Sequence, residues 1–164
     1  MTDLRIGIIG AGLLGTAHAL CLLGIKGSGL INLEACTVFD PDTQKAENLV
    51  SYMGVSRTAS SAQEIIEDPD IDAVFIATPT AFNKDLVLEA ARNDKHIFCE
   101  KPLYIDLEGA QAMSRAVSDA GVVGGVGLVL RHSPTFTYMR SIAEETDAGV
   151  HEKCHRLAHE PSEE

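Results

Sequence analysis

Three glycines near the start of the chain have the spacing that a phosphate-binding turn requires. Gly10, Gly12 and Gly15 follow an apolar run at residues 4–9 and precede a helix-like stretch at residues 13–23. In a strand–turn–helix unit, Gly10 would allow the tight turn and Gly12 would let a pyrophosphate approach the backbone. Gly15 would let the helix pack closely on the sheet.

An acidic residue after the second apolar run completes this pattern. Residues 35–39 form that run, and Asp40 follows it directly. A carboxylate there can accept hydrogen bonds from both hydroxyls of an adenosine ribose, while the N–H groups of Leu13 and Leu14 would hold the pyrophosphate. The pattern therefore predicts a binding site for a dinucleotide cofactor. The absence of an arginine directly after Asp40 favours NAD, and NADP stays open because Arg57 could approach in space.

The rest of the chain alternates between apolar runs and helix-like stretches. This alternation predicts an α/β fold with a doubly wound parallel sheet of the Rossmann type. We expect further strands at residues 55–58, 72–78, 96–99 and 122–130, and helices at residues 42–53, 61–67, 106–120 and 135–145, with one more that begins at Thr80.

Polar side chains at the expected helix starts are candidates for N-caps, because their oxygens can accept a bond from the first turn. These candidates are Ser60 or Ser61, Thr80 and Asp106. Apolar residues at helical spacing should face the sheet. They are Phe82, Leu86 and Ala90 in one helix, and Leu107, Ala110, Met113 or Ser114, and Val117 in another.

Composition excludes several classes of partner. The 164 residues carry a formal net charge of −11 and no Trp, which argues against nucleic acid. Charged residues or glycines interrupt every apolar stretch before it reaches membrane-spanning length. Four cysteines without paired spacing favour a reducing, cytoplasmic location.

Three further motifs narrow the prediction to one family. Thr78-Pro79-Thr80 follows the fourth expected strand, Glu100-Lys101-Pro102 follows the fifth, and Arg131-His132-Ser133-Pro134 lies beyond the sixth. With the glycine turn, they resemble the Gfo/Idh/MocA oxidoreductases over residues 4–145. The resemblance implies hydride transfer between NAD(P) and a sugar, inositol or related polyol.

The resemblance also implies roles for particular residues. Thr78 and Pro79 would lie beside the adenosine and pyrophosphate of the cofactor, and Glu100 would contact the nicotinamide ribose. Lys101 would be the catalytic residue that orients or polarises the reacting hydroxyl or carbonyl. The bond between Lys101 and Pro102 is often cis in relatives.

Two departures from the family pattern leave alternatives open. Asn83 stands where relatives often have histidine, and the family's second domain does not follow Gly149. We therefore expect a dinucleotide-binding domain at residues 1–130, a linking helix toward a missing substrate domain at 131–149, and a polar, disordered tail at 150–164. A non-catalytic NAD(H)-binding module left by truncation is the main alternative, and a Rossmann-like methyltransferase is the other. The domain surface left uncovered favours association into a homo-oligomer.

The tail also contains residues that bind metals in other proteins. His151, His155 and His159 would share one helix face, with Cys154 close enough to join a Zn²⁺ site. We predict no metal site, because no apolar stripe supports a helix there and no carboxylate would orient the histidines.

Overall fold

The alternating apolar runs form a parallel sheet. In the computed structural model, which describes residues 4–29 and 32–145, this sheet has six strands in the order β3-β2-β1-β4-β5-β6. All paired strands are parallel, so the predicted doubly wound α/β fold is confirmed. The strands are β1 (Leu4–Ile9), β2 (Leu33–Phe39), β3 (Arg57–Thr58), β4 (Ala73–Ile76), β5 (His96–Cys99) and β6 (Gly124–Val126).

Helices connect successive strands, as parallel pairing requires. The connecting helices are α1 (Leu13–Ser28), α2 (Thr43–Met53), α3 (Ala62–Glu67), α4 (Thr80–Arg92) and α5 (Leu107–Ala120). A further helix, α6 (Pro134–Glu145), follows β6. The described residues divide into two compact units, with the boundary between Gly127 and Leu128. The first unit holds the sheet with α1 to α5, and the second holds a 3-10 helix (Val129–His132) and α6.

The core lies on both faces of the sheet, because successive side chains of a strand point to opposite sides. In β4, Val74 and Ile76 are buried in the apolar cluster that contains residues of α3, α4 and α5. Ala73 and Phe75 pack against the cluster that contains residues of α1 and α2. Coverage of both faces explains why these strands read as nearly unbroken apolar runs.

Two of the expected helix caps are confirmed and one is wrong. The Ser61 hydroxyl accepts a bond from the backbone N–H of Glu64 at 3.0 Å, and Asp106 Oδ1 accepts one from Gly109 N–H at 2.7 Å. The helix α4 instead has Pro79 at its N-cap, with no side-chain bond, so Thr80 is the first helical residue rather than the cap.

The first apolar residue expected on the buried face of each of two helices is wrong. Phe82 is 61% exposed and Leu107 is 73% exposed, so neither faces the sheet. In α4 the next position along, Asn83, is buried instead, because one residue rotates a helix by about 100°.

Most of the remaining predictions for these two faces are confirmed. Ala90 and Met113 are buried in the core, and Leu86 and Val117 pack against it.

The last expected strand is also shorter than residues 122–130. It ends at Val126, and residues 129–132 form the 3-10 helix. Among the described residues, no helix is long and apolar enough to cross a membrane.

Candidate functional site

The three glycines of the turn after β1 differ in what their absent side chains would meet. Gly10 has a φ of +101°, and a Cβ there would lie 2.5 Å from the carbonyl oxygen of Ala77. A Cβ on Gly15 would collide with the carbonyl oxygen of Gly10. A Cβ on Gly12 would meet nothing within 4 Å. The fold therefore requires glycine at 10 and 15, but it leaves open the space above Gly12.

The start of α1 presents free donors to this open space. Gly12 occupies the N-cap position without a side-chain hydrogen bond, and the first turn contains no acid. The first intrahelical bond runs from Thr16 N–H to the carbonyl oxygen of Gly12 at 2.9 Å. The N–H groups of Leu13 and Leu14 thus have no intrahelical acceptor, and such a helix end attracts anions.

Asp40 lies at the carboxyl end of β2 and is fixed by two backbone donors. Its Oδ2 accepts a hydrogen bond from Ala11 N–H at 2.7 Å, and its Oδ1 accepts one from Asp42 N–H at 2.9 Å. These bonds hold the carboxylate against the glycine turn. Because each carboxylate oxygen can accept two hydrogen bonds, Asp40 keeps one acceptor position on each oxygen.

A cleft of about 720 Å³ joins most of the predicted cofactor residues. The predicted residues that line it are Gly10, Gly12, Leu13, Leu14, Asp40, Thr78 and Pro79. Phe82 and Leu86, on the outer side of α4, add an apolar wall. Gly15 lies against the backbone of Gly10, and Glu100 and Lys101 follow β5 outside this lining.

Asn83 connects the turn after β4 with the turn after β5. It is only 1% exposed, and its Oδ1 accepts a hydrogen bond from the Thr78 hydroxyl at 3.0 Å. Its Nδ2 donates to the carbonyl oxygens of Pro102 and Leu103 at 3.4 Å and 3.3 Å. The residue that departs from the family pattern therefore positions two loops that the sequence assigned to the site.

Glu100 and His18 form a hydrogen-bonded pair that sequence reasoning missed. Glu100 is 5% exposed, and its Oε1 lies 2.8 Å from His18 Nε2. Its Oε2 accepts a bond from Lys101 N–H at 3.1 Å. The Lys101 side chain is exposed, and the Lys101–Pro102 bond is cis, as the resemblance implied.

The sequence does contain a signal for His18. It follows Gly15 by three positions in α1, so both residues lie on the helix face that packs on the sheet. The imidazole packs edge-on against Phe75 and Phe98, with ring centroids 5.4 Å and 5.0 Å away. A polar residue on that face needs a hydrogen-bond partner. An acid that follows a strand, such as Glu100, is a candidate for that partner.

The histidines and cysteine of the tail (His151, Cys154, His155 and His159) lie outside the described residues. Within residues 4–29 and 32–145, no three His, Cys, Asp or Glu side chains are grouped to hold a metal ion.

The strand order, the glycine turn and the acid after β2 together define a dinucleotide-binding Rossmann domain. A family model described as "Oxidoreductase family, NAD-binding Rossmann fold" matches residues 4–128. The chain belongs to this family, the Gfo/Idh/MocA oxidoreductases, as the motifs predicted. Because it is an oxidoreductase family, the match favours a dehydrogenase over the methyltransferase alternative.

Relatives with known activities share this part of their sequence. The chain is 37% identical over 135 residues to scyllo-inositol 2-dehydrogenase (NAD(+)) of Bacillus subtilis, covering 82% of this chain and 38% of the relative. It is 31% identical over 146 residues to myo-inositol 2-dehydrogenase of Thermotoga maritima, covering 89% and 42%. The chain therefore spans about two fifths of the length of the curated relatives that it matches.

Solved structures agree with this assignment. Levoglucosan dehydrogenase in complex with NADH and levoglucosan superposes with a TM-score of 0.79 at 30% identity, covering 88% of this chain and 40% of that one. The myo-inositol 2-dehydrogenase of Lactobacillus plantarum superposes with a TM-score of 0.77 at 29% identity, covering 90% and 43%.

Proposed function

We propose that this chain is the nucleotide-binding part of an NAD-dependent dehydrogenase that acts on inositols, sugars or related polyols. The observation that carries the proposal is the open space above Gly12, which the fold does not need and which lies in the same cleft as Asp40. The relatives that act on inositols and on levoglucosan support this class of substrate.

In this proposal the pyrophosphate would lie on the N–H groups of Gly12, Leu13 and Leu14 at the start of α1. The adenosine ribose hydroxyls would donate to the two remaining acceptor positions of Asp40. Thr78 and Pro79 would form the opposite wall of the cleft that they line. These contacts would align the cofactor across the carboxyl ends of the strands.

We propose Lys101 as the catalytic residue. NAD, when bound, supplies the hydride acceptor at its nicotinamide. The exposed Lys101 side chain would hold the reacting oxygen of the polyol: as an amine it would accept the hydroxyl proton in oxidation, and as an ammonium it would return that proton in reduction. Glu100 would fix the backbone at this point through its bond from Lys101 N–H, and the resemblance also assigns it a contact with the nicotinamide ribose.

The first test is a fluorescence titration of NADH with the chain, together with Asp40→Ala and a matched control, Asp119→Ala. Both variants remove one negative charge, but Asp119 is an exposed residue of α5. We expect Asp40→Ala to weaken NADH binding on the order of tenfold or more, because it loses hydrogen bonds to a charged acceptor. Asp119→Ala should bind like the parent chain. Absence of NADH binding by the parent chain, or binding of S-adenosylmethionine in its place, would overturn the proposal.

A second test separates catalysis from cofactor binding. The chain is mixed with NAD⁺ and scyllo-inositol, myo-inositol or levoglucosan, and NADH formation is followed by absorbance. Turnover would exclude a non-catalytic NAD(H)-binding module. Lys101→Ala should then reduce turnover on the order of a hundredfold and leave the NADH affinity unchanged.

We also propose the cytoplasm as the compartment. Cys36 and Cys99 are buried free thiols, and Cys21 is an exposed one. Thiols without disulfide partners are typical of a reducing compartment.

A further inference from the structure

A second cavity adjoins the cofactor cleft at Asp40. It has a volume of about 560 Å³ and shares Phe39, Asp40 and Pro41 with the cleft. Its other lining residues include two acids, Glu47 from α2 and Glu64 from α3. A group attached to a ribose hydroxyl at Asp40 would therefore extend into a space that contains three carboxylates.

An arginine beside this cavity is paired with Glu64 and with one further acid, Asp68. Arg57 lies in β3, directly before Thr58, which lines this cavity. Its Nη1 donates to Glu64 Oε1 at 2.8 Å, and its Nη2 donates to Asp68 Oδ2 at 2.8 Å. Both terminal nitrogens of the guanidinium are thus already paired with carboxylates.

Glu64 is in turn anchored at the start of α3. Its Oε2 accepts hydrogen bonds from the Ser60 backbone N–H and from the Ser60 hydroxyl, each at 2.7 Å. These two bonds and the Arg57 guanidinium lower the pKa of Glu64 to about 2. The carboxylate that faces Arg57 is therefore charged at every pH at which the cofactor would bind.

We propose that Glu64 and Asp68 select NAD against NADP by pairing with Arg57, so that its guanidinium does not bind a 2′-phosphate. This proposal rests on the proposed function. A 2′-phosphate would meet the carboxylates of Asp40, Glu47 and Glu64, and the cation best shaped to bind it is already paired with Glu64 and Asp68. The carboxylates would thus repel a 2′-phosphate, while Asp40 would still bind the hydroxyls of the unmodified ribose.

Another cation, Lys45, lies near the site and serves as the control. Lys45 lines the cofactor cleft and pairs with Asp42 at 3.4 Å, with 54% of its side chain exposed. Such an exposed pair is weak. If Lys45 were the residue that meets a 2′-phosphate, the state of Arg57 would not matter.

The test measures the affinities of NAD⁺ and NADP⁺ by calorimetry for the parent chain and for the double variant Glu64→Gln/Asp68→Asn. Glutamine keeps an acceptor for Ser60 but removes the charge that holds Arg57. We expect the parent chain to prefer NAD⁺, and the double variant to bind NADP⁺ on the order of tenfold more tightly than the parent does. Thermal unfolding checks that the variant is folded, and Glu64→Gln alone, with a smaller expected gain, replaces it if it is not.

Two further variants identify the residue responsible. Adding Arg57→Gln to the double variant should abolish the gain, whereas adding Lys45→Gln should preserve it. Equal affinity of the parent chain for both dinucleotides would overturn the proposal, and so would a gain that survives the loss of Arg57. If the parent chain binds neither dinucleotide, the proposed function fails, and this proposal fails with it.

Discussion

The glycines at 10, 12 and 15 serve different purposes although they belong to one motif. Backbone atoms of the protein itself exclude a side chain at Gly10 and at Gly15. Gly12 has a φ of −73°, which any residue can adopt, and open space in front of it. Close backbone contacts therefore account for two of these glycines, and the proposed cofactor accounts for the third.

This difference predicts a separation of binding from stability. Gly12→Ala should weaken NADH binding roughly tenfold, since a methyl group would keep the phosphate away from the N–H groups of α1. Its thermal unfolding should remain close to that of the parent chain. Gly24→Ala is the matched control, because Gly24 also lies in α1 with nothing within 4 Å of its Cβ position. It should leave NADH binding unchanged and stabilise the helix by about 0.8 kcal/mol. Unaltered NADH binding by Gly12→Ala would contradict this account of the turn.

His18 predicts a cost in stability. In His18→Leu the packing on Phe75 and Phe98 is largely kept, but the buried Glu100 loses its side-chain partner. We expect the free energy of unfolding to fall by about 2 kcal/mol, as measured by urea denaturation. A double-mutant cycle with Glu100→Leu should give a coupling energy of about 1 kcal/mol or more, and additive effects would rule out the pair as a stabilising contact.

At the scale of elements, a polar side chain at a helix start should contribute to stability only where it accepts a hydrogen bond from the first turn. Asp106→Ala removes the acceptor for Gly109 N–H and should cost about 1 kcal/mol of stability. Thr80→Ala, at the position that the sequence alone favoured as a cap, should change stability by less than about 0.5 kcal/mol. Equal losses in the two variants, measured by thermal unfolding, would contradict the placement of the α4 cap at Pro79.

The error at α4 shows what sequence patterns can and cannot predict. The strands, the glycine turn and the two caps follow from local chemistry, so the sheet and the cofactor cleft could be predicted. Burial of Asn83 depends on its three hydrogen-bond partners, Thr78, Pro102 and Leu103, which no periodicity reveals. Phe82 is apolar but exposed, because it lines the cofactor cleft rather than the core. These two departures from simple patterning in α4 therefore lie at the candidate site.

The role of His18 was also missed because its hydrogen-bond partner is distant in the sequence. Its position on the inner face of α1 can be read from Gly15, but its partner Glu100 lies 82 positions away. Pairing across that distance depends on the order of the strands in the sheet. Only the assembled sheet, in which β4 pairs with β1 and β5 pairs with β4, brings the two side chains together.

At the scale of the whole molecule, the packing of the sheet predicts the reactivity of the thiols. In a Cys154→Ser background, a thiol reagent should label Cys21 rapidly in the native protein and leave Cys36 and Cys99 unlabelled until the protein unfolds. Burial raises the pKa of Cys36, and burial with the nearby Glu100 carboxylate raises that of Cys99 to about 12. Rapid labelling of Cys99 in the native state would show that the packing between β5 and its neighbours is looser than described.

The most direct test of the account maps NAD⁺ onto the folded chain by amide NMR. Addition of NAD⁺ should shift the backbone signals of residues 11–16 and of Asp42, whose N–H donates to Asp40. Signals of the last turn of α5, which does not line the cleft, should change least. Shifts concentrated there, or no shifts at saturating NAD⁺, would contradict the claim that the glycine turn and Asp40 form a cofactor site.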